Sequence, residues 1–192
     1  LGPDDLRLYG LDFAGGGLRS LVTLPQCAAV ITPDEVERVD RLFAVLDRAV
    51  AERRAALADA SAASLVEYRA AGGRMPYLVL LLDGYAGFHQ TYLGVDHGEL
   101  VDRVARLAGE GRALGIYLVV TADRRNAVPS TLSGVISSRL VLRMAESDEY
   151  ASLGLPTSIA QATLPPGRGF SVQGRELQIA VVGDDPSGAG QA

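Results

Sequence analysis

Asp83 is the residue whose type and position most clearly suggest chemistry. It ends an unbroken apolar run that starts at Pro76, and such a run is typical of a central parallel strand that is covered on both faces. A carboxylate at the end of that strand lies at the edge where open α/β sheets bind ligands, and in nucleotide-hydrolysing proteins an aspartate at this place holds Mg²⁺. The alternative is a helix N-cap, because Asp83 also precedes a predicted helix over residues 84–92. The spacing alone does not decide between the two.

Thr121 ends the next predicted strand, which covers residues 116–120. If this strand lies beside the one that carries Asp83, the Thr121 hydroxyl could contact a γ-phosphate or an attacking water. The simpler alternative is a turn in which the hydroxyl only closes the end of the strand.

Arg53 and Arg54 lie near the end of a long predicted helix. In one interpretation they reach the phosphate of a nucleotide on a neighbouring subunit, as an arginine finger does. In the other they lie on a solvated helix face, where they favour the helix C-terminus and pair with Glu52 or Asp59. Without further context, the pattern favours the solvated face.

All 18 basic residues are arginine, because the sequence contains no lysine. This excludes mechanisms that need a lysine from this sequence, including Schiff-base chemistry and a P-loop lysine on a nucleotide phosphate. The glycines at 15–17 make only a weak phosphate-binding motif, since no Lys-Ser/Thr pair follows them. Four other residues with ligating side chains match no metal-ligand spacing: Cys27, His89, Asp96 and His97.

The composition indicates a globular protein with one core and no general attraction to nucleic acid. Of the 192 residues, 48% are hydrophobic and 21% are charged, and the net charge is −5, which does not favour binding to DNA or RNA phosphates. The apolar runs, such as residues 78–82, are far too short to cross a bilayer. We therefore expect no membrane insertion of this segment.

Short apolar runs alternate with longer amphipathic segments, which predicts an α/β fold with a mainly parallel sheet. Residues 1–183 are predicted to form one module and residues 184–192, which consist largely of Gly, Ser, Pro and Ala, a flexible tail or linker. The long helix is predicted over 33–59, with Thr32 and Glu35 as a capping box. The other predicted elements are strands over 6–13, 76–83, 116–120 and 135–144, helices over 64–71 and 98–114, and a hairpin that joins residues 170–172 to 177–182 through a turn at 173–174.

Taken in order, eight segments resemble the motor domain of the FtsK/SpoIIIE family, most of all the later ATPase modules of actinobacterial type VII secretion motors. Each segment alone is a modest signal, whereas their common order is specific, and the resemblance extends to about residue 182. The matching segments are 8–18 (LYGLDFAGGGL), 24–25 (LP), 52–54 (ERR), 76–83 (PYLVLLLD), 111–116 (GRALGI), 120–121 (VT), 138–143 (SRLVLR) and 165–169 (PPGRG).

The resemblance implies a RecA-like P-loop NTPase core with helices on both faces of the sheet, and with ATP and Mg²⁺ bound between neighbouring modules. Asp83 then matches the Walker-B aspartate that holds Mg²⁺, and Thr121 the polar residue at the tip of the next strand. Arg53 or Arg54 falls at the arginine-finger position. In the family, the Walker-A loop and its helix precede the strand at residues 8–12, so the resemblance implies that this sequence lacks them.

Gly84 is the main departure from the family pattern, because active members carry the catalytic glutamate directly after the Walker-B aspartate. The resemblance therefore implies a degenerate module that does not hydrolyse ATP by itself and that acts in regulation, assembly or substrate docking within a protein-secretion motor. Its expected partners are neighbouring ATPase modules and an export-signal peptide, in the cytosolic part of a membrane-associated machine. The alternative is a fragment of an active ATP-driven DNA translocase, against which Gly84 and the acidic net charge argue.

Overall fold

The computed structural model describes residues 1–156, 158 and 164–180. Residues 1–121 form one compact unit, and the described residues from 122 onward belong to a second. The tail predicted over 184–192 lies outside the described residues, and so do the last two residues of the predicted hairpin. The single module predicted over 1–183 stays a prediction.

The first unit is built on a four-stranded sheet in which every neighbouring pair of strands is parallel. The strands are β1 (Leu6–Asp12), β2 (Cys27–Ile31), β3 (Tyr77–Asp83) and β4 (Ile116–Val120), in the spatial order β2-β1-β3-β4. The register places Asp12 beside Asp83 and Leu82 beside Val120. The carboxyl ends of β1, β3 and β4 therefore meet at one edge of the sheet.

Four helices connect these strands, and their core-facing residues recur at the predicted helical spacing. The helices are α1 (Val36–Asp59), α2 (Leu65–Ala70), α3 (Tyr85–Tyr92) and α4 (Glu99–Glu110). The long helix begins at Val36 rather than at residue 33. The predicted pairing of Thr32 with Glu35 is present, because the Thr32 amide donates to the Glu35 carboxylate at 2.9 Å, but it closes a turn just ahead of the helix.

The two faces of the sheet differ in how far they are covered. Along β3, the side chains of Leu78, Leu80 and Leu82 are buried, whereas those of the alternate residues are only half-buried. The sequence predicted equal cover on both faces of this strand. We call the second side the open face, defined by Leu8 of β1, Val30 of β2, Tyr77, Val79 and Leu81 of β3, and Tyr117 and Val119 of β4.

The second unit holds a small antiparallel sheet of β5 (Leu140–Val141), β6 (Arg168–Ser171) and β7 (Glu176–Gln178), with the short helices α5 (Ser130–Ser133) and α6 (Ser147–Ser152). The hairpin predicted at 173–174 is confirmed, and Gly174 has the positive φ of 75° that its turn requires. Among the described residues of this unit, the buried core includes Val141, Tyr150, Leu155, Leu164 and Phe170.

The prediction of a third central strand over 135–144 is wrong. Only residues 140–141 form a strand, and it pairs with β6 in the antiparallel sheet. Ser137, Ser138 and Arg139 interrupt this segment, and Leu140 and Leu142 are both exposed. A strand that is buried on both faces has little room for polar side chains. The apolar residues of segment 135–144 were therefore not sufficient evidence for a central strand.

Candidate functional site

Asp83 and Thr121 meet at the carboxyl edge of the parallel sheet, as their positions predicted. The Thr121 hydroxyl donates a hydrogen bond to Oδ1 of Asp83 and accepts one from the Gly84 amide at 2.9 Å. The Tyr85 amide donates to the Thr121 carbonyl at 3.0 Å. Thr121 therefore holds both the Asp83 carboxylate and the turn that follows Asp83. The simpler alternative, in which its hydroxyl only closes the end of β4, does not describe these contacts.

The N-cap interpretation of Asp83 is wrong. The residue that caps α3 is Gly84, and within the described residues no side-chain cap hydrogen bond is present at the start of this helix. Because the Asp83 carboxylate instead bonds to Thr121 through Oδ1, it remains at the edge of the sheet, and no described residue donates a hydrogen bond to its Oδ2.

Gly84 occupies a place where any other residue would be strained. Its φ of 77° lies in the left-handed region, which L residues with a side chain adopt at a cost. A Cβ atom there would lie 2.8 Å from the carbonyl carbon of Phe13 and 2.9 Å from the amide nitrogen of Ala14. The Phe13–Ala14 peptide thus occupies the space that a side chain directly after Asp83 would need.

The glycine-rich loop at residues 15–17 is organised by a buried carboxylate that the sequence analysis did not single out. Asp12 is 3% exposed, and its two oxygens accept hydrogen bonds from the amides of Gly16 and Leu18, each at 2.9 Å. The loop passes close to Asp83, because a Cβ atom on Gly17 would lie 3.3 Å from Oδ2 of Asp83. A sequence signal existed, since an acidic residue shortly before a glycine run can bind the amides of the turn that follows it.

These contacts also define what the glycine loop can bind. The Gly16 amide and the Leu18 amide directly after the loop already donate to Asp12, so they are not available to a phosphate. The loop is therefore a fixed turn beside Asp83 rather than a preformed phosphate-binding loop, in agreement with the missing Lys-Ser/Thr pair.

Arg53 is buried inside the first unit. It is 4% exposed, and its guanidinium donates to the carbonyls of Leu114, Gly115 and Pro76. Burial lowers the pKa of this guanidinium below its ordinary value. These carbonyls lie just before β3 and β4, so Arg53 ties the starts of two strands to α1. Arg53 therefore lies neither on a solvated helix face nor at the surface, where an arginine finger would have to be.

Arg54 points outward and pairs with Glu110 of α4, with 2.6 Å between Nη2 and Oε2. Both side chains are about half exposed, so the pair contributes little to stability. The partner differs from Glu52 and Asp59, which the sequence suggested, because α4 packs beside α1. Of the two arginine-finger candidates, Arg54 is the one that lies at the surface.

Asp83 fits one side of an Mg²⁺ site, because a carboxylate oxygen is a ligand that this cation prefers, and Thr121 holds that carboxylate in place. Across the described part of the chain, no group of three or more His, Cys, Asp or Glu side chains could hold a metal ion. The remaining ligands would therefore have to come from water or a nucleotide, which is how Mg²⁺ is usually held in nucleotide sites. Among the same residues, no helix has the length and apolar character needed to cross a bilayer.

A family model described as the FtsK/SpoIIIE family matches residues 2–178. Among curated proteins, the ESX-4 secretion system protein EccC4 of Mycobacterium tuberculosis is 28% identical over 186 residues, which cover 92% of this chain and 14% of that protein. The ESX-1 secretion system protein EccCb1 of the same organism is 25% identical over 188 residues, with 93% of this chain and 31% of that protein covered. The chain thus spans less than a third of the length of these relatives.

Two solved structures share the fold. ATPases 2 and 3 of Thermomonospora curvata EccC, in complex with a signal sequence peptide, superpose with a TM-score of 0.80 at 25% identity, covering 93% of this chain and 32% of that one. ATPases 2 and 3 of Geobacillus thermodenitrificans EssC give a TM-score of 0.78 at 20% identity over 98% and 36%. The predicted α/β fold of RecA-like ATPase domains is thereby confirmed.

Proposed function

The chain belongs to the FtsK/SpoIIIE family, as the order of its motifs predicted, and on that premise we propose that it is a module of a longer type VII protein-secretion motor that does not hydrolyse ATP by itself. In this role it contributes to assembly, regulation or substrate docking. Its relatives are type VII secretion proteins, which supports the class of machine.

The observation that carries the proposal is the packing around Gly84. In active family members the resemblance places a glutamate directly after the Walker-B aspartate, where it orients the attacking water. Here the backbone of Phe13 and Ala14 fills the space that a Cβ atom would need, so the position cannot hold a carboxylate without rearrangement. The absence of lysine from the sequence supports the same conclusion.

Nucleotide binding, if the parent protein retains it, would use Asp83 and Thr121. Asp83 would contribute an oxygen to the Mg²⁺ that accompanies ATP, and the Thr121 hydroxyl holds that carboxylate in place. Arg54 would serve a nucleotide on a neighbouring module, since it is exposed and its pairing with Glu110 is weak enough to exchange.

Substrate docking is the role that the comparisons favour among those proposed. The Thermomonospora curvata EccC structure contains a signal sequence peptide, and we extend this interaction to the present chain by analogy. An amphipathic export-signal helix would bind by placing its apolar side in a surface groove. The module would then act at the cytoplasmic side of a membrane-associated machine.

The test is a titration of Mg-ATP against the longer parent protein, with turnover followed in the same sample and Asp83→Asn as the matched control. We expect binding without turnover, or no binding, and no effect of DNA. Turnover that is lost in Asp83→Asn would overturn the proposal, and stimulation of that turnover by DNA would favour the DNA-translocase alternative.

The docking role is tested separately with a fluorescently labelled export-signal peptide from the same secretion system. Saturable binding that a scrambled peptide does not show would support it. A module that binds neither peptide nor neighbouring ATPase modules would contradict every role proposed here.

A further inference from the structure

A pocket rich in arginine lies where the strands of the first unit begin, at the edge of the sheet opposite to Asp83. It has a volume of about 400 Å³, and its lining includes Asp4, Asp5, Arg7, Arg69, Arg74 and Met75. We call it the arginine pocket. On β1, Arg7 precedes Asp12 by five positions, which correspond to about 16 Å along an extended strand. The arginine pocket is therefore separate from the candidate nucleotide site.

Arg69 forms a fixed wall of the arginine pocket. Its guanidinium donates to the Met75 carbonyl and to Oδ1 of Asp5, each at 2.8 Å, and lies 5.3 Å from the centre of the Tyr77 ring. The hydrogen bond from Arg69 lowers the pKa of the Asp5 carboxyl below its ordinary value, so Asp5 is charged at neutral pH. Arg69 and Asp5 thus neutralise each other.

Arg7 and Arg74 carry the positive charge of the pocket that is not neutralised in this way. Both residues are exposed, and among the described residues neither guanidinium has a hydrogen-bond or ion-pair partner. The lining contains three arginines against two aspartates, although the net charge of the chain is −5. The arginine pocket is therefore a local excess of positive charge on an acidic protein.

A fourth arginine lies directly behind the pocket and adds to this excess. Arg53 donates to the carbonyl of Pro76, which is itself a lining residue. Burial is the main cause of the lowered pKa of the Arg53 guanidinium, and the charge of Arg7 lowers that pKa further. Arg7 and Arg53 are therefore close enough to repel each other, and a bound anion would relieve this repulsion.

The turn that carries Arg74 is held in place by close packing at Gly73. The Gly73 amide donates to the Tyr68 carbonyl at 2.9 Å, and a Cβ atom on Gly73 would lie 2.2 Å from Cε1 of Tyr68. Glycine at this position thus lets the backbone pack against the Tyr68 ring. Because the turn is already ordered, a ligand of Arg74 would not have to order this backbone at a cost in affinity.

We propose that the arginine pocket binds an acidic peptide segment of a partner polypeptide, with two carboxylates of that segment on Arg7 and Arg74. A guanidinium binds a carboxylate through two parallel hydrogen bonds. The volume of about 400 Å³ is in the range of sites that enclose a ligand with a body as well as a charge, and Met75 and Pro76 add apolar surface for that body. The Asp4 carboxylate repels a multiply charged phosphate more strongly than a singly charged carboxylate.

The proposal goes beyond the function proposed above and does not depend on it, because the arginine pocket and the nucleotide site lie at opposite edges of the sheet. Its test therefore measures peptide binding and not ATP turnover.

The experiment measures, by fluorescence anisotropy, the binding of a labelled hexapeptide of alternating glutamate and leucine to the 192-residue chain. The peptide control replaces every glutamate with glutamine. The protein variants are Arg7→Gln and Arg74→Gln, with Arg19→Gln as the matched control, because Arg19 is also exposed but follows the carboxyl end of β1. Urea unfolding checks that each variant is folded, and inorganic phosphate serves as a competitor.

We expect the glutamate peptide to bind in preference to the glutamine peptide, with an affinity that falls as the salt concentration rises. Arg7→Gln and Arg74→Gln should each weaken binding by roughly tenfold, as for the loss of one hydrogen-bonded charge pair, whereas Arg19→Gln should leave it unchanged. Arg74→Lys keeps the charge but not the bidentate geometry and should give an intermediate affinity.

Three results would overturn the proposal. The first is that the glutamate peptide does not bind, or binds no better than the glutamine peptide. The second is an equal loss of binding in all three glutamine variants, which would indicate a general effect of charge. The third is displacement of the peptide by an equal concentration of inorganic phosphate, which would assign the arginine pocket to phosphate ligands instead.

Discussion

The hydroxyl of Thr121 donates to the carboxylate of Asp83 across two neighbouring parallel strands. The same oxygen accepts the Gly84 amide, so one side chain fixes the carboxylate and the turn behind it. This arrangement keeps Asp83 at the edge of the sheet and out of the helix cap. The candidate site is thereby defined by a pair of residues that are distant in sequence and come from adjacent strands.

Replacing Thr121 with valine should weaken this arrangement, because valine has the shape of threonine but no hydroxyl. The change leaves an oxygen of Asp83 and the Gly84 amide without their partner. Since Thr121 is exposed and water can compensate in part, we expect a loss of about 1 kcal/mol in the free energy of unfolding. Urea denaturation measures it, with Thr121→Ser as the control that keeps the hydroxyl. A Thr121→Val variant as stable as the Ser variant would contradict the assigned role.

Gly84→Ala should destabilise the chain by about 2 kcal/mol or more. Alanine at a φ of 77° is strained by itself, and its Cβ atom would be forced against the backbone of Phe13. The matched control is Gly94→Ala, because a Cβ atom at Gly94 would meet nothing within 4 Å. Equal stability of the two variants in denaturant titrations would show that the turn can rearrange. Gly84→Glu should be destabilised at least as much and should gain no ATPase activity.

Much of the parallel sheet could be predicted from the sequence because its signals are local. The apolar run that ends at Asp83 indicates a buried strand, and the helical spacing from Val39 to Leu57 indicates the inner side of α1. The position of Asp83 and Thr121 at one edge of the sheet followed from a general property of parallel sheets, namely that the carboxyl ends of their strands share one edge, whereas the hydrogen bond between them was not predicted.

The features that sequence analysis missed depend on contacts between distant residues. Arg53 looks like any helix-end arginine until the starts of β3 and β4 are placed around it. The reason for glycine at position 84 is the backbone of Phe13, which is brought there by strand pairing. The prediction of a strand over 135–144 was wrong for another reason. Its apolar residues were given more weight than Ser137, Ser138 and Arg139, which lie between them.

Asp12→Ala should be among the most damaging single changes in the first unit. It would leave the amides of Gly16 and Leu18 without their acceptor, and hydrogen bonds to a charged group are stronger than those between neutral groups. We expect a loss of about 3 kcal/mol in the free energy of unfolding, and faster hydrogen exchange at these two amides. Asp34→Ala, at an exposed position ahead of α1, is the comparison. Unchanged exchange at both amides would mean that another group holds the loop.

Arg53 and Arg54 form a matched pair for separating a structural role from a role at the surface. Arg53→Ala removes the donor for three carbonyls and should cost about 3 kcal/mol of stability. Arg54→Ala breaks an exposed ion pair and should change stability by less than about 0.5 kcal/mol. Thermal or urea unfolding of both variants tests this difference. If the order were reversed, the assignment of Arg53 as the interior residue would be wrong.

Tyr85 and Tyr92 of α3 should tolerate, and even benefit from, replacement by phenylalanine at neutral pH. Both hydroxyls are buried, and neither has a hydrogen-bond partner within the described residues; an unpaired buried hydroxyl costs stability. Burial raises the pKa of both phenols above the ordinary value, with a smaller contribution from Asp102 for Tyr85 and from Asp40 for Tyr92.

The direction of the pH effect follows from that shift. Above the ordinary tyrosine pKa of about 10, the unfolded chain releases phenolic protons that the folded chain retains, so stability falls as the pH rises. Tyr85→Phe should therefore leave the free energy of unfolding unchanged or higher at pH 7 and should flatten its decline at alkaline pH. Urea titrations of the wild type and the variant at both pH values measure this. A variant that loses more than about 1 kcal/mol at pH 7 would mean that the Tyr85 hydroxyl makes a hydrogen bond in solution.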